Sequence, residues 1–175
     1  GKAEVLRMRM DYKGFFSSLN DFVKNRTAGV AGTTDYLQAV IQRTDPKFLR
    51  LFSAPIDTVM SNLNASHAKD SLALGLTGLW YYTTGRNDQA ARYFKQNAEE
   101  YPASLSASAT FVEFLMYAQM WEDLSVEGRK AYETFGEEPA FLEMASIGDY
   151  NLGRYDKVLE ICDRILEVAP CDSSR

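Results

Sequence analysis

Apolar side chains recur at every third or fourth position through most of the chain, which is the spacing of one face of an α-helix. One such stripe is formed by Ala90, Phe94, Ala98 and Tyr101. The alternation of apolar and polar positions that is typical of strands is absent. The pattern therefore predicts an all-α fold. Helices are predicted ahead of the polar turns over roughly 72–84, 105–118 and 140–152.

The chain also repeats itself. The segment that starts at Gly85 and ends at Pro102 aligns without a gap with the segment that starts at Gly153 and ends at Pro170. The offset between the two segments, 153 minus 85, is 68, which is twice 34. A weaker copy around Trp121 lies at the intermediate position. A fixed period of this length is the signature of stacked helical repeats.

Each recurring position has a physical reason. A glycine suits the point where one helix stops and the chain reverses, because glycine tolerates a positive φ. Acidic residues such as Asp88 and Asp156 follow it, where the free amides of a helix N-terminus favour negative charge. Pro102 and Pro170 close the second helix of each pair. The repeating unit is therefore predicted to be an antiparallel helix pair.

This pattern resembles the tetratricopeptide repeat family. In the middle copy Gln119 replaces the turn glycine, Gly136 replaces the proline, and Gly128 stands where a large apolar residue is usual. The resemblance implies an α-α superhelix, or solenoid, with extra N-terminal helices, in a piece of a longer bacterial protein. The matching positions are Gly78, Tyr81, Gly85, Ala90, Phe94 and Pro102 in the first unit, and Ser146, Gly153, Tyr155, Val158, Cys162 and Pro170 in the third.

The N-terminal part is less regular. Residues 2–25 are predicted to form one helix that caps the array or, alternatively, docks on a partner or on another copy of the chain, and residues 27–32 are predicted to form a flexible link. Residues 33–68 are predicted to hold a degenerate repeat or packing helices, with Thr33 or Thr34 as the first cap. The predicted divisions are 1–32, 33–70 and 71–175, the last with units at about 71–104, 105–138 and 139–172.

The composition and charge of the chain limit the kinds of partner that it can bind. The net charge of -5 and the pI near 5.0 argue against nucleic acid, which needs basic patches. No apolar run approaches the roughly 18 residues of a membrane span. We expect a soluble protein, and the sequence leaves open whether its compartment is the cytoplasm or the periplasm, since a signal segment could already have been removed.

No residue pattern typical of catalysis is found, so we expect neither an enzyme, a metal site nor a cofactor. His67 has no partner pattern around it and is predicted to be a solvated linker residue. Cys162 falls on the apolar stripe of the last helix and is predicted to be buried, whereas Cys171 is predicted to be exposed. The spacing of the two cysteines is not a metal signature.

The resemblance implies a concave groove that binds a peptide or a partner helix. The Lys, Asn and Arg clamp of chaperone-binding members is missing, so the groove is expected to suit an apolar or amphipathic segment, including a basic one. The alternatives are a structural segment of a longer solenoid and the accessory domain of an enzyme. The groove positions are Leu72, Leu76, Leu79, Tyr82, Thr83, Glu113, Met116, Tyr117, Glu143, Met144, Ile147, Tyr150 and Asn151.

The last helix is expected to be covered. It is apolar around much of its girth, and no polar capping helix follows Pro170. We expect that further repeats follow in the natural protein, or alternatively that self-association covers this helix.

Overall fold

The structure, a computed structural model, describes residues 2–25 and 29–168. Its regular elements in these two ranges are all α-helices, so the predicted all-α class is confirmed. The helices are α1 (Lys2–Met8), α2 (Tyr12–Lys24), α3 (Val30–Arg43), α4 (Pro46–Leu51), α5 (Ser53–Ser66), α6 (Ser71–Thr83), α7 (Asn87–Glu100), α8 (Leu105–Tyr117), α9 (Trp121–Thr134), α10 (Ala140–Asn151) and α11 (Tyr155–Val168).

The chain divides into two compact units, Gly1–Glu100 and Tyr101–Arg175. This division differs from the predicted boundaries after residues 32 and 70. The reason is that α6 packs against α3 and α5, so that Leu76 and Trp80 belong to the same core as the N-terminal helices. The hairpin α6–α7 is therefore part of the first unit.

The helix bounds repeat with the period of the sequence. Helices α5, α7, α9 and α11 have 14 residues each. They begin at Ser53, Asn87, Trp121 and Tyr155, and each start follows the one before it by 34 positions (87 minus 53, 121 minus 87, 155 minus 121). The period of the helix starts thus includes α5, whose apolar residues Ile56, Met60 and Leu63 precede Ala90, Phe94 and Asn97 of α7 by 34 positions.

The turns between the paired helices share one backbone conformation. Gly85, Gln119 and Gly153 have φ values of 75°, 57° and 73°. Gln119 thus adopts the left-handed conformation of the two glycines, at a cost of about 1 kcal/mol for a residue with a side chain. The replacement of the turn glycine in the middle unit therefore leaves the turn unchanged.

The prediction of one helix over residues 2–25 is wrong. The chain breaks between α1 and α2, where Met10 has a φ of 59°. Asp11 then starts α2, since its carboxylate accepts a hydrogen bond from the amide of Gly14 at 2.9 Å. An N-cap of this kind begins a new helix and competes with continuation of the first one.

The predicted caps and link before α3 are also wrong where the structure describes them. Helix α3 begins at Val30, which includes Gly32 in the helix. Thr33 and Thr34 are buried inside it, and their hydroxyls donate to backbone carbonyls of the preceding turn. Residues 27 and 28 of the predicted link lie outside the described residues.

The core of the first unit is aromatic. Phe15 and Phe16 of α2 are buried against α3 and α5. The rings of Tyr12, Phe48 and Phe52 form a cluster with centroids 4.4 to 5.2 Å apart. Rings at such separations stabilise each other beyond their buried area, so the N-terminal helices are an integral part of this unit.

In the second unit, α10 contacts α8, α9 and α11. Its closest approach is to α9, at two glycines. A Cβ atom on Gly128 of α9 would lie 2.9 Å from the carbonyl oxygen of Phe141, and one on Gly148 of α10 would lie 2.9 Å from the amide nitrogen of Ser125. Gly128 is unexpected from the family pattern, and this contact explains it, because a large side chain would push α10 away.

Gly128→Ala is therefore expected to destabilise the protein by about 1–3 kcal/mol, since the neighbouring backbone oxygen cannot give way without moving α10. The measurement is urea-induced unfolding followed by circular dichroism. Gly136→Ala is the matched control, because its Cβ would meet nothing closer than the carbonyl oxygen of Tyr132 at 3.7 Å. Equal stability of the two variants would contradict the close packing of α9 and α10.

Candidate protein-binding surface

Helices α8 and α10 lie beside each other in the second unit, and each has one buried and one open side. Phe111 and Phe114 of α8 and Phe141 of α10 are buried. The open sides of the two helices, here together called the α8–α10 face, carry their predicted groove residues. They are Glu113, Met116 and Tyr117 on α8, and Glu143, Met144, Ile147, Tyr150 and Asn151 on α10.

Most side chains of the α8–α10 face are accessible. Tyr117, Tyr150 and Ile147 are 65 %, 62 % and 40 % exposed, and Glu113, Glu143 and Asn151 are exposed as well. Met116 and Met144 are half-buried. Exposed aromatic and aliphatic side chains at this density are typical of surfaces that contact other proteins.

Helix α6 in the first unit presents fewer of its predicted groove residues. Leu72, Tyr82 and Thr83 are exposed. Leu76 is buried in the core and Leu79 is half-buried against it, so the middle of this stripe packs inside the unit. Tyr82, Met116 and Tyr150 are predicted groove residues spaced 34 positions apart, and Tyr82 belongs to the first unit whereas the other two belong to the second.

The charged residues of α6, α8 and α10 are all acidic. Helices α6, α8 and α10 contain no Lys or Arg. The exposed charges of the α8–α10 face are the carboxylates of Glu113 and Glu143. The surface is therefore apolar and acidic, which disfavours acidic ligands and favours basic ones.

A buried carboxylate fixes α10 against α9. Asp149, fully buried, accepts a hydrogen bond from the hydroxyl of Ser125 at 2.7 Å and another from the guanidinium of Arg129. Arg129 also donates to Ser125. A buried charge is tolerated only when it is paired and hydrogen-bonded in this way. Asp149 precedes Tyr150 in the chain, so this network orients the end of the α8–α10 face.

A related network fixes α6 against α5 in the first unit. Asp57 of α5 accepts a hydrogen bond from the indole of Trp80 at 2.6 Å and two from the guanidinium of Arg86 at 2.7 and 2.8 Å. Arg86 also lies over the ring of Tyr81, 4.5 Å from its centroid. The two-pronged pairing of a guanidinium with a carboxylate is the strongest form of such a contact.

The pKa of Asp57 reflects these contacts. Burial by itself would raise the pKa of this carboxyl. The hydrogen bonds from Arg86 and Trp80, together with the charge of Arg86, outweigh burial and hold the pKa of Asp57 below its ordinary value. The hydrogen bonding of its guanidinium to Asp57 raises the pKa of Arg86. The pair is thus ionised in the folded protein.

This pKa shift makes the stability of the first unit depend on pH. Because the pKa of Asp57 is lower in the folded chain, its carboxylate stabilises the fold above the unfolded pKa of about 4. That contribution is lost as the pH falls through the folded pKa. Asp57→Asn is therefore expected to be less stable than the wild type at neutral pH, with a difference that shrinks in acid.

Urea unfolding at a series of pH values tests this expectation. Fluorescence in a Trp121→Phe background reports on Trp80, which is buried in the first unit. Asp35→Asn on α3 is the control, because Asp35 is exposed and lies outside the network. A difference between Asp57→Asn and the wild type that stays constant from neutral to acid pH would contradict the assigned role.

Other candidate residues are not brought together. The prediction that Cys162 is buried is wrong, since Cys162 is exposed. Pro170 and Cys171 lie outside the described residues. His67 ends α5, and its Nε2 atom is buried without a hydrogen-bond partner among the described residues. In the same part of the chain, no three side chains of the His, Cys, Asp and Glu types meet as metal ligands would.

None of the helices that the structure describes combines the length and apolar character needed to span a bilayer. No protein-family model matches this sequence, and no curated protein matches it either.

Sequence reasoning missed the Asp57 and Asp149 networks. A signal did exist, because Ser125 follows Asp57 by 68 positions, and Gly148 follows Trp80 by the same interval. The same two repeat positions thus meet in both units. Alignment of the repeats shows that these positions correspond, but not that their side chains touch.

Proposed function

We propose that this protein is a non-catalytic interaction module whose α8–α10 face binds a peptide or helix of another protein. The 34-residue period of helices and turns supports a repeat array of the tetratricopeptide type. Arrays of helix pairs expose extended surfaces along their first helices and use them for binding. Because one fold serves many functions, the proposal depends on the properties of the face itself.

One observation carries the proposal. Tyr117 of α8 and Ile147 and Tyr150 of α10 are exposed, the opposite sides of these two contacting helices are buried in the unit, and α10 is fixed by the Asp149 network. Single exposed apolar side chains are common on protein surfaces, whereas a contiguous group of them marks an interaction site. A rigid support also lowers the entropy lost on binding.

The charge of the face indicates the partner. With Glu113 and Glu143 as its exposed charges and no basic residue on either helix, the face favours a segment that combines apolar side chains with Lys or Arg. Such a segment would place its apolar side chains on Ile147 and the tyrosines and its cations beside the carboxylates.

Fluorescence anisotropy with two labelled peptides tests this proposal. The first is an amphipathic helical peptide of Leu, Ala and Lys, and the second has Glu in place of each Lys. The whole chain is expected to bind the Lys peptide in preference to the Glu peptide. Tyr117→Ala is expected to weaken binding about tenfold, as for an aromatic residue at the centre of an interface, and Glu113→Gln to reduce the preference for Lys.

Two exposed residues of α9 provide controls. Val126→Ala and Glu133→Gln remove comparable groups in the same unit but outside the α8–α10 face, and they should leave binding unchanged. The proposal fails if neither peptide binds. It also fails if Tyr117→Ala and Glu113→Gln bind the Lys peptide as tightly as the control variants do, provided that circular dichroism shows all four variants to be folded.

A further inference from the structure

The positive charge of the chain is concentrated in one part of the first unit. Residues 2–13 and 43–51 contain 7 of the 19 Lys and Arg residues but only 3 of the 24 Asp and Glu residues. The net charge of these two segments is therefore +4 (7 minus 3), and the remaining residues carry -9 (12 basic minus 21 acidic). Such an asymmetry indicates a surface for an anionic partner, which the overall charge of -5 conceals.

Folding brings the two segments together. The ring of Tyr12, at the start of α2, packs on the rings of Phe48 in α4 and Phe52 directly after it, with centroids 5.2 and 4.8 Å apart. Several residues next to these rings in the chain are exposed and surround the aromatic cluster on the outside of the unit. These residues, here called the basic surface, are Met8, Arg9, Met10, Lys13, Lys47, Arg50 and Leu51.

The three acidic residues of the two segments are already engaged. Asp11 and Asp45 each accept a hydrogen bond from a backbone amide and so cap α2 and α4. The carboxylate of Glu4 accepts two hydrogen bonds from the guanidinium of Arg7, at 3.1 and 3.2 Å. The four cations of the basic surface are exposed, so their charges are available to a partner.

The basic surface also carries apolar side chains. Leu51, Met8 and Met10 are 77 %, 76 % and 74 % exposed, which is more than any other large hydrophobic residue that the structure describes. Transfer of such side chains out of water is favourable. Their grouping around one aromatic cluster therefore indicates an interaction site that takes apolar as well as charged side chains.

A lipid bilayer uses both properties. Exposed apolar side chains enter the boundary between headgroups and acyl chains, while Lys and Arg contact anionic headgroups. Nucleic acid would use the cations and leave the apolar side chains in water. A partner helix packs on apolar residues that form a row along a helix. Here Met10 lies in the turn between α1 and α2 and Leu51 ends α4, so these side chains project from the ends of two short elements.

From these observations we propose that the basic surface binds peripherally to bilayers that contain anionic phospholipid. Its three apolar side chains insert at the level of the headgroups, and its four cations bind the phosphate and carboxylate groups around them. The rings of Tyr12, Phe48 and Phe52 pack against the core of the first unit and hold both segments in place. The proposal does not depend on the α8–α10 face, which belongs to the second unit.

Co-sedimentation of the whole chain with vesicles tests this proposal. One set of vesicles contains phosphatidylcholine alone, and the other contains about one quarter phosphatidylserine. The chain is expected to sediment with the second set and to stay in solution with the first. Binding is expected to weaken as NaCl is raised from about 0.1 M to about 0.5 M, because salt screens the attraction between the cations and the lipid.

A double variant tests the charged part of the surface. Lys47→Gln combined with Arg50→Gln is expected to weaken binding to the phosphatidylserine vesicles about 25-fold, since each cation near such a surface contributes about fivefold. Arg92→Gln combined with Lys95→Gln is the matched control and should leave binding unchanged. These two exposed residues have the same spacing, on α7 of the same unit, and lie outside the basic surface.

A single variant tests the apolar part. Leu51→Gln is expected to weaken binding about tenfold, as for the loss of one inserted Leu side chain. Leu72→Gln is its control, because Leu72 is an exposed leucine of the same unit that lies on α6. Circular dichroism is expected to show that all these variants are folded, since each substitution replaces an exposed side chain.

Several outcomes would overturn the membrane proposal. These are absence of binding to either set of vesicles, equal binding to both sets, and binding by Leu51→Gln or by the Lys47 and Arg50 double variant that is as tight as binding by its control. Without vesicle binding, salt-sensitive binding of duplex DNA would assign the basic surface to nucleic acid. Binding of a peptide of Leu, Ala and Glu that the same double variant weakens would assign it to an acidic protein segment.

Discussion

The close contact between a second helix and the following first helix is the interaction on which the rest of this structure depends. In the second unit α9 and α10 meet at Gly128 and Gly148. Because neither residue has a Cβ atom, the two backbones come so close that an added Cβ would lie 2.9 Å from a backbone atom of the other helix. Dispersion contacts at this distance are numerous and sensitive to any added atom. The buried carboxylate of Asp149, paired with Arg129, then selects one register of α10 on α9.

The same contact is built from different chemistry in the first unit. There the equivalent positions hold Asp57 and Trp80, and Arg86 completes the network. The second unit thus holds its two helices together by close packing of small residues, whereas the first unit does so by charged hydrogen bonds between large residues. Comparison of residue types would not reveal that these positions correspond. The two positions are in contact in both units, but the side chains at them differ.

This contact also gives the helices their two sides. Once α10 is fixed on α9, Phe141 faces inward, and the helical period turns Ile147 and Tyr150 outward. The α8–α10 face is exposed because α8 and α10 pack into the unit through their opposite sides, where Phe111, Phe114 and Phe141 are buried.

Local structure could be predicted from the order of residues alone. Helical periodicity placed α6, α8 and α10 to within one residue at each end, since helices were predicted over roughly 72–84, 105–118 and 140–152. The residue order also shows that α8 and α10 contain no basic residue. Which apolar positions are buried emerged only when the helices were packed together. Leu76 is in a core and Cys162 is exposed, although the pattern predicted the reverse for both. The reason is that several faces of an apolar helix satisfy the same periodicity, and contacts from distant segments decide which of them meets water.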